Sequence, residues 1–75
     1  MSSNFNDYKD YIVGNEIINF DSIKFIIYSN HSPSIEEMIN YNNHIYIVDY
    51  VDDVTTDKEF DEGLSYVEVT MSKQE

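Results

Sequence analysis

The side chains able to do covalent chemistry are few and badly placed for it. The chain has no Cys, and its two His, His31 and His44, stand apart, so a nucleophile would have to be a Ser or Thr beside one of them. Ser29, His31 and Ser32 are neighbours only because they share a loop, and there is no Gly-x-Ser-x-Gly elbow to hold a serine for attack. No catalytic triad is expected. Carboxylates are plentiful, with 15 Asp and Glu against 4 Lys and no Arg. A carboxylate pair acting as general acid and base needs one member desolvated in a pocket, which a chain of 75 residues rarely encloses. Counting a calcium loop from Asp53 puts Asp57 and Asp61 at its fifth and ninth positions. Lys58 then falls where a Gly is needed and Leu64 where a bidentate Glu is needed, so the loop fails at its two most diagnostic places. Two separated His without Cys make no zinc site, and the Asn30-His31-Ser32 sequon matters only in a secreted chain. The expectation is a protein that is not an enzyme, with no metal and no cofactor.

The acids are informative by position. Residues 1–35 carry a net charge of −2 and the remaining forty carry −9, out of a total of −11. Residues 49–62 alone hold seven acids and one Lys. The candidate partner-binding residues are therefore Asp49, Asp52, Asp53, Asp57, Glu59, Asp61 and Glu62, joined by Glu36, Glu37 and Glu68. Phe60 or Tyr50 would be the aromatic that fills an apolar pocket on the partner. Each pair of like charges about 7 Å apart in water repels by about 0.6 kcal/mol before salt screening. A net charge of about 2 to 8 suffices for solubility, so the excess calls for another reason. In an extended segment Asp57, Glu59 and Asp61 would point the same way about 6.8 Å apart, close to the roughly 7 Å between successive phosphates of a duplex strand. Direct binding to nucleic acid or to an anionic membrane is excluded by repulsion. A basic partner is what such a surface fits.

The elements that would carry these residues follow from periodicity. Phe5, Tyr8, Tyr11 and Ile12 are spaced as one stripe of a short helix over 4–13, capped by Ser3 or Asn4 and stopped at Gly14. Ile23, Phe25 and Ile27 form one face of a strand over 22–29, with 16–20 as its hairpin partner and a bend at Phe20-Asp21. Ser32-Pro33 reads as the start of a second helix over 33–42, with Ile35, Met38 and Ile39 inward and Asn42-Asn43 at its end. His44 to Val51 is expected as a central strand, Ile45, Ile47 and Val51 on one face and Tyr46, Val48 and Tyr50 on the other. Leu64 to Met71 reads as the last strand, followed by a frayed tail over 72–75. Between them Thr56 and Glu59 fit a capping box and Gly63 a helix stop, while the alternation of Asp57, Glu59 and Asp61 fits an extended segment, and both readings stand. The fold class expected is α+β, a three- or four-stranded and mostly antiparallel sheet with one or two short helices.

Size allows one domain over 1–75. Leu, Ile, Val and Phe make up 21 of the 75 residues, above the roughly 20% below which chains stay disordered. The chain is thus expected to fold, with a thin core that a homodimer could thicken through a sheet edge or helix face. The longest apolar runs are four residues, far too short for a membrane span. The lack of Cys and the acids at Asp7 and Asp10 suit the cytoplasm. In size, acidity and absence of enzymatic motifs the chain resembles the small acidic DNA-mimic inhibitors encoded by bacteriophages, and its bias to Asn, Ile and Tyr and to Lys over Arg, with no Ala and one Leu, resembles an AT-rich genome. The resemblance implies a non-enzymatic inhibitor that evades host defence by imitating DNA phosphates. Its target would be the basic surface of a glycosylase, a restriction or CRISPR nuclease, or a nucleoid protein. The alternative is a protein-protein adaptor or immunity-type module that binds through a strand edge or helix face.

Overall fold

Alternation, not helical periodicity, organises the chain. The computed structural model describes residues 3–19, 21–56 and 63–74, with the backbone alone for 15–19. Six strands are described: β1 Ser3–Asn4, β2 Ile12–Asn19, β3 Ser22–Tyr28, β4 Met38–Tyr41, β5 His44–Asp53 and β6 Tyr66–Lys73. They form one curled sheet in the order β1-β4-β5-β6-β3-β2. The β1 and β4 strands run parallel and every other neighbouring pair is antiparallel. The α+β expectation is therefore wrong: this is a mixed six-stranded sheet, and the described residues contain no helix of seven residues or more.

Each missed helix has a physical reason. Over 4–13 the apolar spacing is satisfied by two successive 3-10 turns, Phe5–Asp7 and Lys9–Tyr11, whose i to i+3 bonds repeat at the same interval as the stripe. The start signal does work as expected, since the Asn4 side chain accepts from the Asn6 N–H at 3.0 Å and Asp7 accepts from the Asn4 N–H at 3.3 Å. Gly14 is no helix stop and lies within β2, at a register shift against β3. Over 33–42 the Ser-Pro start is not used. Ser32 donates its hydroxyl to the Pro33 carbonyl, and Ile35 and Met38, expected inward, are 58% and 46% exposed. Asn42 and Asn43 have φ of 53° and 65°, the backbone of a two-residue type I′ turn, so they join β4 to β5 where a helix end was expected.

The strand positions read from sequence are occupied by strands, β6 lying two residues later than the expected Leu64 to Met71, at Tyr66–Lys73; Phe20 of the expected bend lies outside the described residues. Ile23, Phe25 and Ile27 are the buried face of β3, β2 is its hairpin partner, and β5 lies inside the sheet. The 72–75 segment, expected to fray, stays paired as far as described: β6 runs through Lys73, and the Gln74 N–H donates to the Ile45 carbonyl at 2.7 Å.

One layer of side chains builds the core. Ile23, Phe25 and Ile27 from β3, Ile39 from β4, Tyr46 and Val48 from β5, and Val69 and Met71 from β6 are buried together on the inner face. The first turns fold over that face and add Phe5 and Tyr8, and the start of β2 adds Ile12. Phe5 sits edge-on to Phe25 with ring centres 5.5 Å apart and 4.6 Å from Tyr41, which in turn meets Tyr46 at 5.9 Å. The N-terminal segment is thus the second layer that a single sheet needs to bury its face.

Candidate functional site

The structure separates the predicted acids into those the fold consumes and those it leaves to solvent. Glu37 belongs to the first group. Its carboxylate accepts from the Tyr8 hydroxyl, the Ser3 hydroxyl at 2.7 Å and the Ser34 N–H at 3.1 Å. Partial burial alone would push this carboxyl up, but the three donors together hold it below the usual glutamate value. Burial and the bond to Glu37 in turn raise the Tyr8 phenol. Glu37 therefore fastens the covering N-terminal segment to the turn before β4. Asp49 is also engaged, accepting from the Ser72 hydroxyl of β6. Glu68 receives the Lys24 ammonium at 3.6 Å.

The second group is exposed. Glu36 lies at the surface of the 34–37 turn with φ of 73°. Asp53 is solvent-exposed at the end of β5, where the Thr55 hydroxyl and N–H hold its carboxyl below the usual aspartate value. Asp52 is exposed and stands directly across from Glu68 in the β5–β6 ladder. Cβ atoms of such pairs lie about 4.5–5.5 Å apart, and like charges there are destabilising. Asp57, Glu59, Phe60, Asp61 and Glu62 lie outside the described residues, as do both readings of 57–62.

A β-bulge decides what joins Asp52 and Glu68. The β5–β6 register shifts between Val48 and Tyr50, so that Asp49 is the extra residue. Strict alternation would have sent Tyr50 inward behind Tyr46 and Val48. With the bulge, Val51 turns in to lie opposite the buried Val69, and Tyr50 turns out opposite Thr70 to 63% exposure. The two-face assignment of β5 made from sequence is thus correct only up to Val48. The outer face that results carries Asp49, Tyr50 and Asp52 from β5, Glu68 and Thr70 from β6, and Lys24 from β3. Among the described residues the register puts one cation, Lys24, on this face, and Glu68 already holds it.

Two further features were missed from sequence. Tyr11 and His31 stack with ring centres 3.6 Å apart, joining the second N-terminal turn to the 3-10 turn Ser29–His31. At the β1–β4 edge an open cavity of about 300 Å³ is lined by Asn4, Asn6, Asn40, Asn42 and Asn43 with Phe5 and Tyr41. The repeated Asn residues around positions 4 and 42 are its only sequence signal, and a turn or cap explains three of them. The described residues contain no group of three His, Asp or Glu that could hold a metal, and no helix long and apolar enough to cross a membrane.

Fold and site together define a small open β-sheet protein with an acidic, aromatic-bearing outer face. No protein-family model matches the chain, and no curated protein and no solved structure is significantly similar to it.

Proposed function

We propose that this protein is a non-enzymatic acidic inhibitor that occupies the basic nucleic-acid-binding surface of another protein in the bacterial cytoplasm, with carboxylates in the place of DNA phosphates. The observation that carries the reading is the Asp52–Glu68 pair. Two carboxylates held directly across a ladder cost stability in a domain with little to spare; Lys24 offsets only Glu68, and among the described residues no hydrogen bond or ion pair uses Asp52. A surface that is unfavourable for the free chain and becomes favourable against Lys and Arg is what a phosphate mimic requires. Glu36 and Asp53 are the other predicted acids that are solvent-exposed, and the acids of 57–62 add to the charge of the chain by sequence alone. Glu37 and Asp49 are removed from the binding set because their oxygens are engaged inside the molecule, whereas Glu68 stays in it because its side chain is still 27% exposed beside Lys24.

Competition is the mechanism. The chain binds where DNA would bind, its charge speeding encounter and selecting basic partners. The adaptor alternative loses its helix face, because 33–42 is not helical, and keeps the two sheet edges at β1 and β2. The test is displacement of a labelled duplex from purified examples of four target classes: a nucleoid protein, a restriction enzyme, a uracil-DNA glycosylase and a CRISPR nuclease. At least one is expected to release its DNA, with inhibition weakening steeply between about 50 and 200 mM salt. Failure with all four, or inhibition indifferent to salt, refutes the reading.

A further inference from the structure

We propose that the outer face of the sheet centred on Tyr50 is the docking surface, and that the partner presents an apolar cleft bordered by Lys or Arg. The inference rests on the inhibitor reading and adds to it a location, an anchor and the shape of the target.

Three observations converge on that face. The bulge at Asp49 re-aims a large aromatic that alternation would bury, and bulges recur where a side chain must be redirected beside a functional site. Asp49 is itself held by the Ser72 hydroxyl of β6, so Tyr50 projects from a strand pinned on its neighbour and not from a loop. Tyr offers a large contact area with little rotameric freedom to lose, which is why it anchors interfaces so often.

The surroundings of Tyr50 supply a core and a rim. Met38 of β4, 46% exposed, faces half-buried Ile47 of β5 across the β4–β5 ladder, giving the same face an apolar surface. Asp52 and Glu68 border it on the other side. Interfaces of high affinity have that anatomy, an apolar centre ringed by polar groups. Charge selects the occupant. A second copy would bring two chains of −11 face to face, and nucleic acid would be repelled in the same way. A basic protein surface is complementary, and the cleft between its cations is where a Tyr ring fits.

The experiment uses the full chain and the DNA-binding protein that responds in the displacement assay. Tyr50→Ala is expected to weaken inhibition about thirtyfold with its salt dependence unchanged. The pair Asp52→Asn with Glu68→Gln is expected to weaken it less and to flatten the salt dependence. Met38→Ala, read in the same assay, gives a second measure of the apolar centre if Tyr50→Ala fails to fold by circular dichroism. If Tyr50→Ala and Met38→Ala inhibit like the parent while the charge variant is impaired, the Tyr50 anchor and the apolar cleft it fills are overturned and the phosphate-mimic reading survives. If the parent chain displaces nothing, both fall. A dimer in sedimentation that Tyr50→Ala dissociates would assign the face to a second copy and overturn the basic partner.

Discussion

Glu37 holds the covering layer of the fold, and its removal should be felt throughout a small domain. Glu37→Ala deletes an acceptor of three hydrogen bonds, from Tyr8, Ser3 and Ser34. Bonds to a charged group contribute about 1.5–3 kcal/mol each when fully shielded. This side chain is only partly shielded, which lowers the expected total to about 2–3 kcal/mol. For a domain of this size the whole stability is about 4–11 kcal/mol, and the loss corresponds to a fall in Tm of about 10–20 °C. Glu37→Gln keeps an oxygen for Ser34 and should cost about 1 kcal/mol. The pH dependence has a definite sign. Because the folded-state carboxyl is held below its ordinary value, its contribution is complete above the unfolded value and is lost as pH falls through the folded one. The stability gap between parent and Glu37→Gln should therefore close as pH drops from about 6 to below about 4. Thermal melts by circular dichroism across that range are the assay. A Glu37→Ala variant melting within about 2 °C of the parent, less than about 0.5 kcal/mol, would show that this carboxylate does not hold the N-terminal segment.

Other substitutions probe the sheet itself. Phe25→Ala removes a fully buried ring at the centre of the core and should cost about 3–5 kcal/mol, a fall in Tm of about 12–40 °C by the same melt. Asn43→Gly, at a φ of 65° in the β4–β5 turn, completes the Asn-Gly pair that type I′ turns prefer and should add about 0.5 kcal/mol in urea titration. Asp52→Asn relieves the charge facing Glu68 and should raise Tm by a few degrees, about 0.2–1 kcal/mol at low salt. An unchanged or lowered Tm would mean that Asp52 is not opposed as the register places it.

What could be read in advance divides along the line between local and distant determinants. The β3 strand was legible because Ile23, Phe25 and Ile27 alternate with half-exposed neighbours, a pattern that only a sheet satisfies. Over 33–42 the local signals were real, a Ser-Pro start and two Glu in the first turn, but pairing across to β5 outweighs them. The Glu36 N–H donates to the Val48 carbonyl at 2.8 Å, and the Val48 N–H donates to the Glu37 carbonyl at 3.0 Å. Nothing near residue 36 in the chain announces residue 48. The candidate site shows the same division. Composition located the acidic stretch, yet whether Asp49 or Glu37 is free for a partner depends on Ser72 and Tyr8, far away in sequence. The bulge was illegible because one added residue leaves both flanking runs alternating normally.

The position of β2 at the edge of the sheet has a consequence for handling the protein. Eight residues of strand offer one side to β3, and the described residues place no strand on the other. Such an edge can recruit another chain, although two register shifts interrupt its regularity. At neutral pH the common charge opposes association, and that opposition disappears as the solution approaches the isoelectric point near 4.1. Acidification should therefore drive ordered self-association through β2 before it unfolds the core, with the aggregates rich in intermolecular β-structure and slowed by a proline placed in β2.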